Sequence, residues 1–99
     1  MIRERQPSID PEVMGIAALQ FLSSDDDLMM RFLALSGLRA DELRAAAYQP
    51  GFLVGVLDFI LAHEPTVMAF AEHATVSPDQ IQRARTALDE HSEKAENAR

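Results

Sequence analysis

Apolar residues in this chain recur at the spacing of helix faces. Between residues 10 and 90 they return every three or four positions, which is the period of an amphipathic helix. No run alternates apolar with polar residues, and no Asn-Gly or Asp-Gly turn joins two apolar segments, so the signals for strands and hairpins are missing. The pattern predicts an all-α fold, a single compact bundle of five to six short helices.

Capping residues divide the pattern into helices. The sequence Ser77-Pro78-Asp79-Gln80 combines a capping Ser, a Pro at the first helical position and a Gln three residues after the Ser, which predicts a capping box. Gly37 predicts a left-handed helix end. The predicted helices are at residues 10–22, 25–36, 41–48, 50–63, 65–74 and from 78 onward.

The helix at residues 50–63 is apolar around most of its circumference, which is typical of a central core helix. Its narrow remaining strip consists of Val54, Gly55, Asp58 and Ala62. Because Gly51 and Gly55 lack side chains, we expect another helix to approach closely there. In the predicted helix at residues 25–36 we expect Leu28, Phe32 and Leu35 to face the core.

Two helical hairpins of similar build flank this central helix. A shift of 38 residues places Phe32 on Phe70 and Asp41 on Asp79. Either similar corners converged on similar caps, or a segment was duplicated. We expect a flexible lead at residues 1–8, one helical domain at residues 9–91 and a frayed tail at residues 92–99.

Composition narrows the classes of function. The chain has 99 residues, no Cys and a net charge of −7, so one domain without thiol chemistry is expected. The negative charge disfavours nucleic acid and anionic membranes. The most apolar run, residues 51–62, contains Asp58 and is shorter than the roughly 20 residues of a membrane span. Without a signal-peptide pattern, we expect an acidic, cytoplasmic protein.

Two segments resemble a known family. They are Arg31-Phe32-Leu33-Ala34-Leu35-Ser36-Gly37-Leu38, and the run from Pro50 to Glu64 in which Asp58 interrupts an apolar helix. Both are similar to a family of short bacterial proteins known only as a domain of unknown function, and the resemblance covers about residues 10–90. It implies a small helical protein and supplies no catalytic or binding residues.

The residues that could carry catalysis do not form a recognisable set. His63 and His73 lie ten positions apart across a Pro, without the close spacing of a zinc pair. We expect them at helix ends, where an imidazolium interacts with terminal carbonyls. No Ser lies in a nucleophile elbow and no Gly-rich loop with a Lys is present. We therefore expect no enzyme, no cofactor and no metal.

A protein-interaction or adaptor domain is the function most consistent with the sequence. Asp58 is an acid in an apolar helix, and Arg31 is a lone cation in another, so the two could pair or share one helix edge. Met side chains adapt to varied partners. The residues expected to contact a partner protein, or a second copy in a homodimer, are Met30, Arg31, Ala34, Asp58 and Ala62.

The alternative is a helix-turn-helix nucleic-acid binder formed by residues 65–88. Small and apolar residues occupy the positions that such a tight corner needs. The residues that would contact bases or phosphates are Gln80, Gln82, Arg83, Arg85 and Thr86. Acids on the same helix leave it without the positive charge that a DNA-binding helix usually carries.

Overall fold

The computed structural model describes residues 9–97, with the side chains of Pro50 and of residues 91–97 left undescribed. Within this range the helices are α1 (Pro11–Ser23), α2 (Asp26–Ser36), α3 (Leu43–Ala46), α4 (Pro50–Leu61), α5 (Glu64–Ala74) and α6 (Pro78–Asn97). No strand forms among these residues, which confirms the all-α prediction. The expected lead, residues 1–8, and the last two residues of the expected tail lie outside the described range.

The predicted caps account for where the helices begin. The carboxylate of Asp10 accepts a hydrogen bond from the backbone N–H of Glu12 at 2.8 Å. Ser77 and Gln80 form the predicted capping box, with the Gln side chain accepting from the Ser N–H at 2.9 Å and the Ser hydroxyl accepting from the Gln N–H at 3.1 Å. These bonds satisfy backbone donors that a helix start leaves unpaired.

Helix α4 forms the centre of the core, as its apolar circumference predicts. It packs most extensively against α6 and α1, and it also contacts α5. The expected inner stripe of α6, Ile81, Ala84 and Leu88, is buried. The buried apolar core consists of Met14, Ala18, Leu22, Phe32, Leu53, Val54, Val56, Leu57, Ile60, Val67, Phe70, Ala71, Ile81, Ala84 and Leu88.

The close helix approach occurs at a different glycine from the one predicted. A Cβ on Gly55 would meet no atom within 4 Å, so no helix packs closely against that edge of α4. A Cβ on Gly15, in α1, would lie 3.0 Å from the Cβ of Leu53. The α1–α4 contact therefore depends on Gly15, because any side chain there would collide with Leu53.

The 38-residue offset has a structural counterpart. Helices α2 and α5 have the same length, and their bounds differ by that offset. Each ends at a residue in the left-handed region, Gly37 (φ 79°) or Thr75 (φ 58°). The N–H of that residue donates to the carbonyl four positions earlier in both cases. The similarity ends after the corner, because α3 has 4 residues and α6 has 20.

Two expectations about the first hairpin are wrong. Leu35 does not belong to the core stripe of α2, since it is 78% exposed while Phe32 is buried. The helix expected at residues 41–48 consists of a 3-10 turn at Ala40–Glu42 followed by the single helical turn of α3. Pro50 forces the preceding residue out of the helical region, and Gln49 is extended there (φ −98°, ψ 125°).

Candidate functional site

The first hairpin contributes one buried side chain to the core. Among residues 26–49 only Phe32 is buried. Its ring makes edge contacts with Phe52 and Phe59 of α4, with ring centroids 5.7 Å and 5.5 Å apart. Such pairs favour edge-to-face geometry at these distances. Three other apolar side chains of the segment, Leu28, Met29 and Leu43, pack against the core while only partly buried, and α2 also contacts α1.

The same segment carries the most exposed large apolar side chains of the described residues. Tyr48 is 83% exposed, Leu35 78% and Met30 67%. Met68 on α5 and Val13 on α1 are less exposed, at 53% and 58%. Exposed apolar residues that cluster in one part of a surface are typical of interaction sites.

Five of the seven exposed residues of α2 form one continuous face. At 100° per residue, the face covers an arc of about 140°, and all of its members are exposed. We call it the α2 outer face, and it consists of Asp27, Met30, Arg31, Ala34 and Leu35. Three of the predicted contact residues, Met30, Arg31 and Ala34, therefore share one surface.

The predicted pair of Arg31 and Asp58 is not formed. Asp58 instead accepts two hydrogen bonds from Arg85 of α6, at 2.7 Å from Nε and 3.2 Å from Nη2. Arg85 also donates to Asp89 at 3.3 Å. Within the part of the chain whose side chains are described, Arg31 takes part in no ion pair. The acid on α4 thus links α4 to α6.

The charge on Arg85 is stabilised by this arrangement. Hydrogen bonding to Asp58 raises the pKa of the Arg85 guanidinium above its usual value, while partial burial acts in the opposite direction. The two-point contact of the guanidinium with the carboxylate of Asp58 favours the charged form of Arg85. Asp58 therefore has its ion-pair partner within the fold. Ala62, the other predicted contact on α4, is exposed at the C-cap of that helix.

The residues of the nucleic-acid alternative are mostly engaged with neighbours. Gln80 belongs to the capping box of α6, and the hydroxyl of Thr86 donates to the carbonyl of Gln82 at 3.1 Å. Arg83 pairs with Asp79 at 3.2 Å, and Arg85 pairs with Asp58 and Asp89. Both arginines of the candidate recognition helix thus face carboxylates.

The two histidines of the middle region lie at helix ends. His63 is the N-cap of α5, and its Nδ1 lies 2.8 Å from the hydroxyl of Thr66, the buried polar residue of that helix. It contacts the first turn of α5 and not terminal carbonyls. The ring of His73, in the last turn, packs against Phe21 of α1 with centroids 5.3 Å apart and the ring planes tilted by 49°.

Metal-ligating and membrane-spanning features were sought among the described residues. There, no three His, Asp or Glu side chains come together in a way that could hold a metal ion. In the same part of the chain, no single helix is long and apolar enough to cross a membrane. One pair, Gly51–Leu61 with Glu64–Ala74, passes on length and composition together but is bent by 112°.

The sequence pattern does not predict the exposure of two residues, Tyr48 and Leu35. Tyr48 is not among the residues predicted to contact a partner. An aromatic side chain two residues before Pro50, where the predicted helix ends, nevertheless has little helix to pack against. Leu35 was assigned to the core because its spacing from Phe32 and Leu28 fits a helix stripe. Both residues are exposed in a part of the chain where only the 3-10 turn and the 4 residues of α3 follow α2.

Comparison with known proteins gives a family for the chain. No curated protein and no solved structure matches it. A family model described as "Protein of unknown function (DUF3572)" matches residues 8–91, which include every helix from α1 to α5 and most of α6. That match covers well over half of the sequence and agrees with the extent of the all-α domain. The chain therefore belongs to this family of proteins of unknown function.

Proposed function

We propose that the chain is a protein-interaction or adaptor domain without catalytic activity, and that it binds through the α2 outer face together with Tyr48. The observation that carries the proposal is the contrast within residues 26–49. That segment has one buried side chain and the three most exposed large apolar side chains among the described residues. A partner covering this segment would bury apolar surface that the chain alone leaves in water.

The residue types on this surface suit an interface. Tyr and Arg are enriched among the residues that dominate binding energy, and Tyr48 and Arg31 supply them here. Met30 adds a flexible side chain that can adapt to a partner's shape. Ala34, which lies between Met30 and Arg31 on the helix wheel, leaves room for a side chain of the partner.

Site-specific cross-linking tests the proposal. A photoreactive amino acid would replace Met30, and the matched control would carry it at Met68, which is also an exposed Met but lies on α5. In native lysate we expect a discrete cross-linked species from position 30 that an excess of unlabelled wild-type chain competes away. Position 68 should give no competable species.

The identity of the cross-linked species is then read by mass spectrometry. A competable cross-link confined to position 30 supports the proposal, whether the bound chain is a different protein or a second copy. Equal cross-linking at both positions, or none at position 30, would contradict it. Pre-incubation of the lysate with the Met30→Glu variant should fail to compete, since a buried carboxylate opposes binding at an apolar contact.

The helix-turn-helix alternative makes a different prediction. If α6 contacted DNA, affinity would fall steeply as salt is raised, because phosphate contacts release counterions. The informative substitution is Gln82→Ala with Arg83→Ala, since Arg85 is tied to Asp58 and its loss would disturb the α4–α6 contact. The pairing of Arg83 with Asp79 favours the protein-interaction proposal over this one.

A further inference from the structure

We infer that the partner of the α2 outer face is a second copy of the same chain, docked antiparallel through α2. This inference rests on the proposed function and specifies its partner. The observation behind it is the distribution of charge on the face. Asp27 lies in the first turn of α2 and Arg31 lies one turn later, and both are exposed.

The two charged residues do not neutralise each other within the helix. Acid and base four positions apart, with the acid first, is the favourable order for an ion pair along a helix. Asp79 and Arg83 make that contact in α6, at 3.2 Å. Among the described residues, Asp27 and Arg31 take part in no such pair. Both charged side chains are therefore accessible on the face where a partner would dock.

An antiparallel second copy matches these charges. With a two-fold axis level with residue 29, midway between the two charged positions, Arg31 of one copy lies level with Asp27 of the other along the helix axis, while the two Arg31 lie about 6 Å apart, from a rise of about 1.5 Å per residue. The symmetry makes the contact twice, as an isologous interface requires. A parallel arrangement would instead place like charges opposite each other.

The apolar residues of the face fit the same arrangement. Met30 would lie beside the axis and contact its own copy, and the small side chain of Ala34 allows close approach of the two backbones. The two helix dipoles would also run in opposite directions, which turns the positive N-terminal end of each α2 toward the negative C-terminal end of the other. Helix α2 has only 11 residues, so the contact is small and we expect a weak, reversible dimer.

The inference is tested with charge-reversed variants, studied alone and as a mixture. Sedimentation velocity measures dimerisation at up to about 1 mM protein. A buffer of about 0.15 M salt screens the net charge of the chains. Arg31→Asp alone and Asp27→Arg alone should each weaken dimerisation roughly tenfold or more, because each places like charges at the interface. An equimolar mixture of the two variants should restore dimers. In the mixed dimer, every arginine faces an aspartate of the other chain.

The mixture distinguishes a change at the interface from a change in folding, because it contains only variants that do not dimerise well by themselves. Circular dichroism confirms that both variants are helical. Arg83→Asp and Asp79→Arg are matched controls with the same charge changes on α6, and both should dimerise like wild type. Dimers that persist in the single variants, or a mixture that stays monomeric, would overturn the inference.

A wild-type chain that remains monomeric throughout would also overturn it. That result would leave the proposed function standing if position 30 still cross-links a different protein. Conversely, the absence of any cross-link at position 30 together with intact dimers in Arg31→Asp would reject both. The two experiments therefore distinguish failure of the partner assignment from failure of the surface.

Discussion

Replacing Thr75 with Gly should stabilise the protein. Thr75 ends α5 with φ 58° and ψ 48°, in the left-handed region, and it is exposed at the corner before α6. A left-handed backbone brings Cβ close to the following carbonyl oxygen, and a β-branched residue is a particular outlier there. The corner needs this conformation because the N–H of Thr75 donates to the carbonyl of Ala71. The strain is therefore imposed by the fold.

The magnitude follows from two opposing effects. Relief of the left-handed strain contributes about 1–2 kcal/mol, and the greater freedom of Gly in the unfolded chain offsets about 0.5–1 kcal/mol of it. Little side-chain packing is lost because Thr75 is exposed. The expected net gain is about 0.5–1 kcal/mol, which corresponds to a rise of roughly 2–8 °C in Tm for a domain of this size.

Gly37 provides the matched reverse experiment. It occupies the equivalent corner after α2 with φ 79°, and a Cβ there would meet no atom within 4 Å. Gly37→Thr adds the strain without a steric clash, so it should cost about the same 0.5–1 kcal/mol. Urea denaturation followed by circular dichroism measures both free energies of unfolding. If Thr75→Gly destabilised the protein, or if both substitutions changed stability in the same direction, the argument from backbone strain would be refuted.

Three further substitutions test the packing of α4. Gly15→Ala should lower the free energy of unfolding by about 1–3 kcal/mol, because its Cβ would collide with Leu53. Gly55→Ala should raise it by up to about 1 kcal/mol, because Ala favours a helix and space is open there. Arg85→Ala should cost about 0.5–1 kcal/mol, a value reduced by the partial exposure of Arg85 and Asp58. Because the pKa of Arg85 is raised, its contribution at neutral pH persists up to the usual pKa of a guanidinium and is lost only as pH rises through the raised value. Urea titrations at neutral pH and at two salt concentrations check all three, and an Arg85→Ala cost that grows with salt would contradict the ion-pair explanation.

The helix ends and the central core were predictable because each depends on residues close in sequence. The Ser77–Gln80 capping box is a local motif, and the apolar circumference of α4 indicates burial whatever packs around it. The partner of Asp58 was not predictable in this way. Arg31 and Arg85 are both able to pair with a carboxylate, and only the extensive packing of α4 against α6 brings Arg85 within 2.7 Å of Asp58.

The candidate surface arises from a difference between two otherwise similar halves. Helices α2 and α5 have equivalent bounds and equivalent left-handed ends, so each delivers the chain to a following helix in a similar way. After α5 the chain continues into the 20 residues of α6, which pack along α4 and α1. After α2 it reaches only the short α3, because Pro50 begins the next helix. The first hairpin thus lacks a long second helix, and its apolar residues Met30, Leu35 and Tyr48 stay exposed, which is why a partner is expected on that side of the molecule.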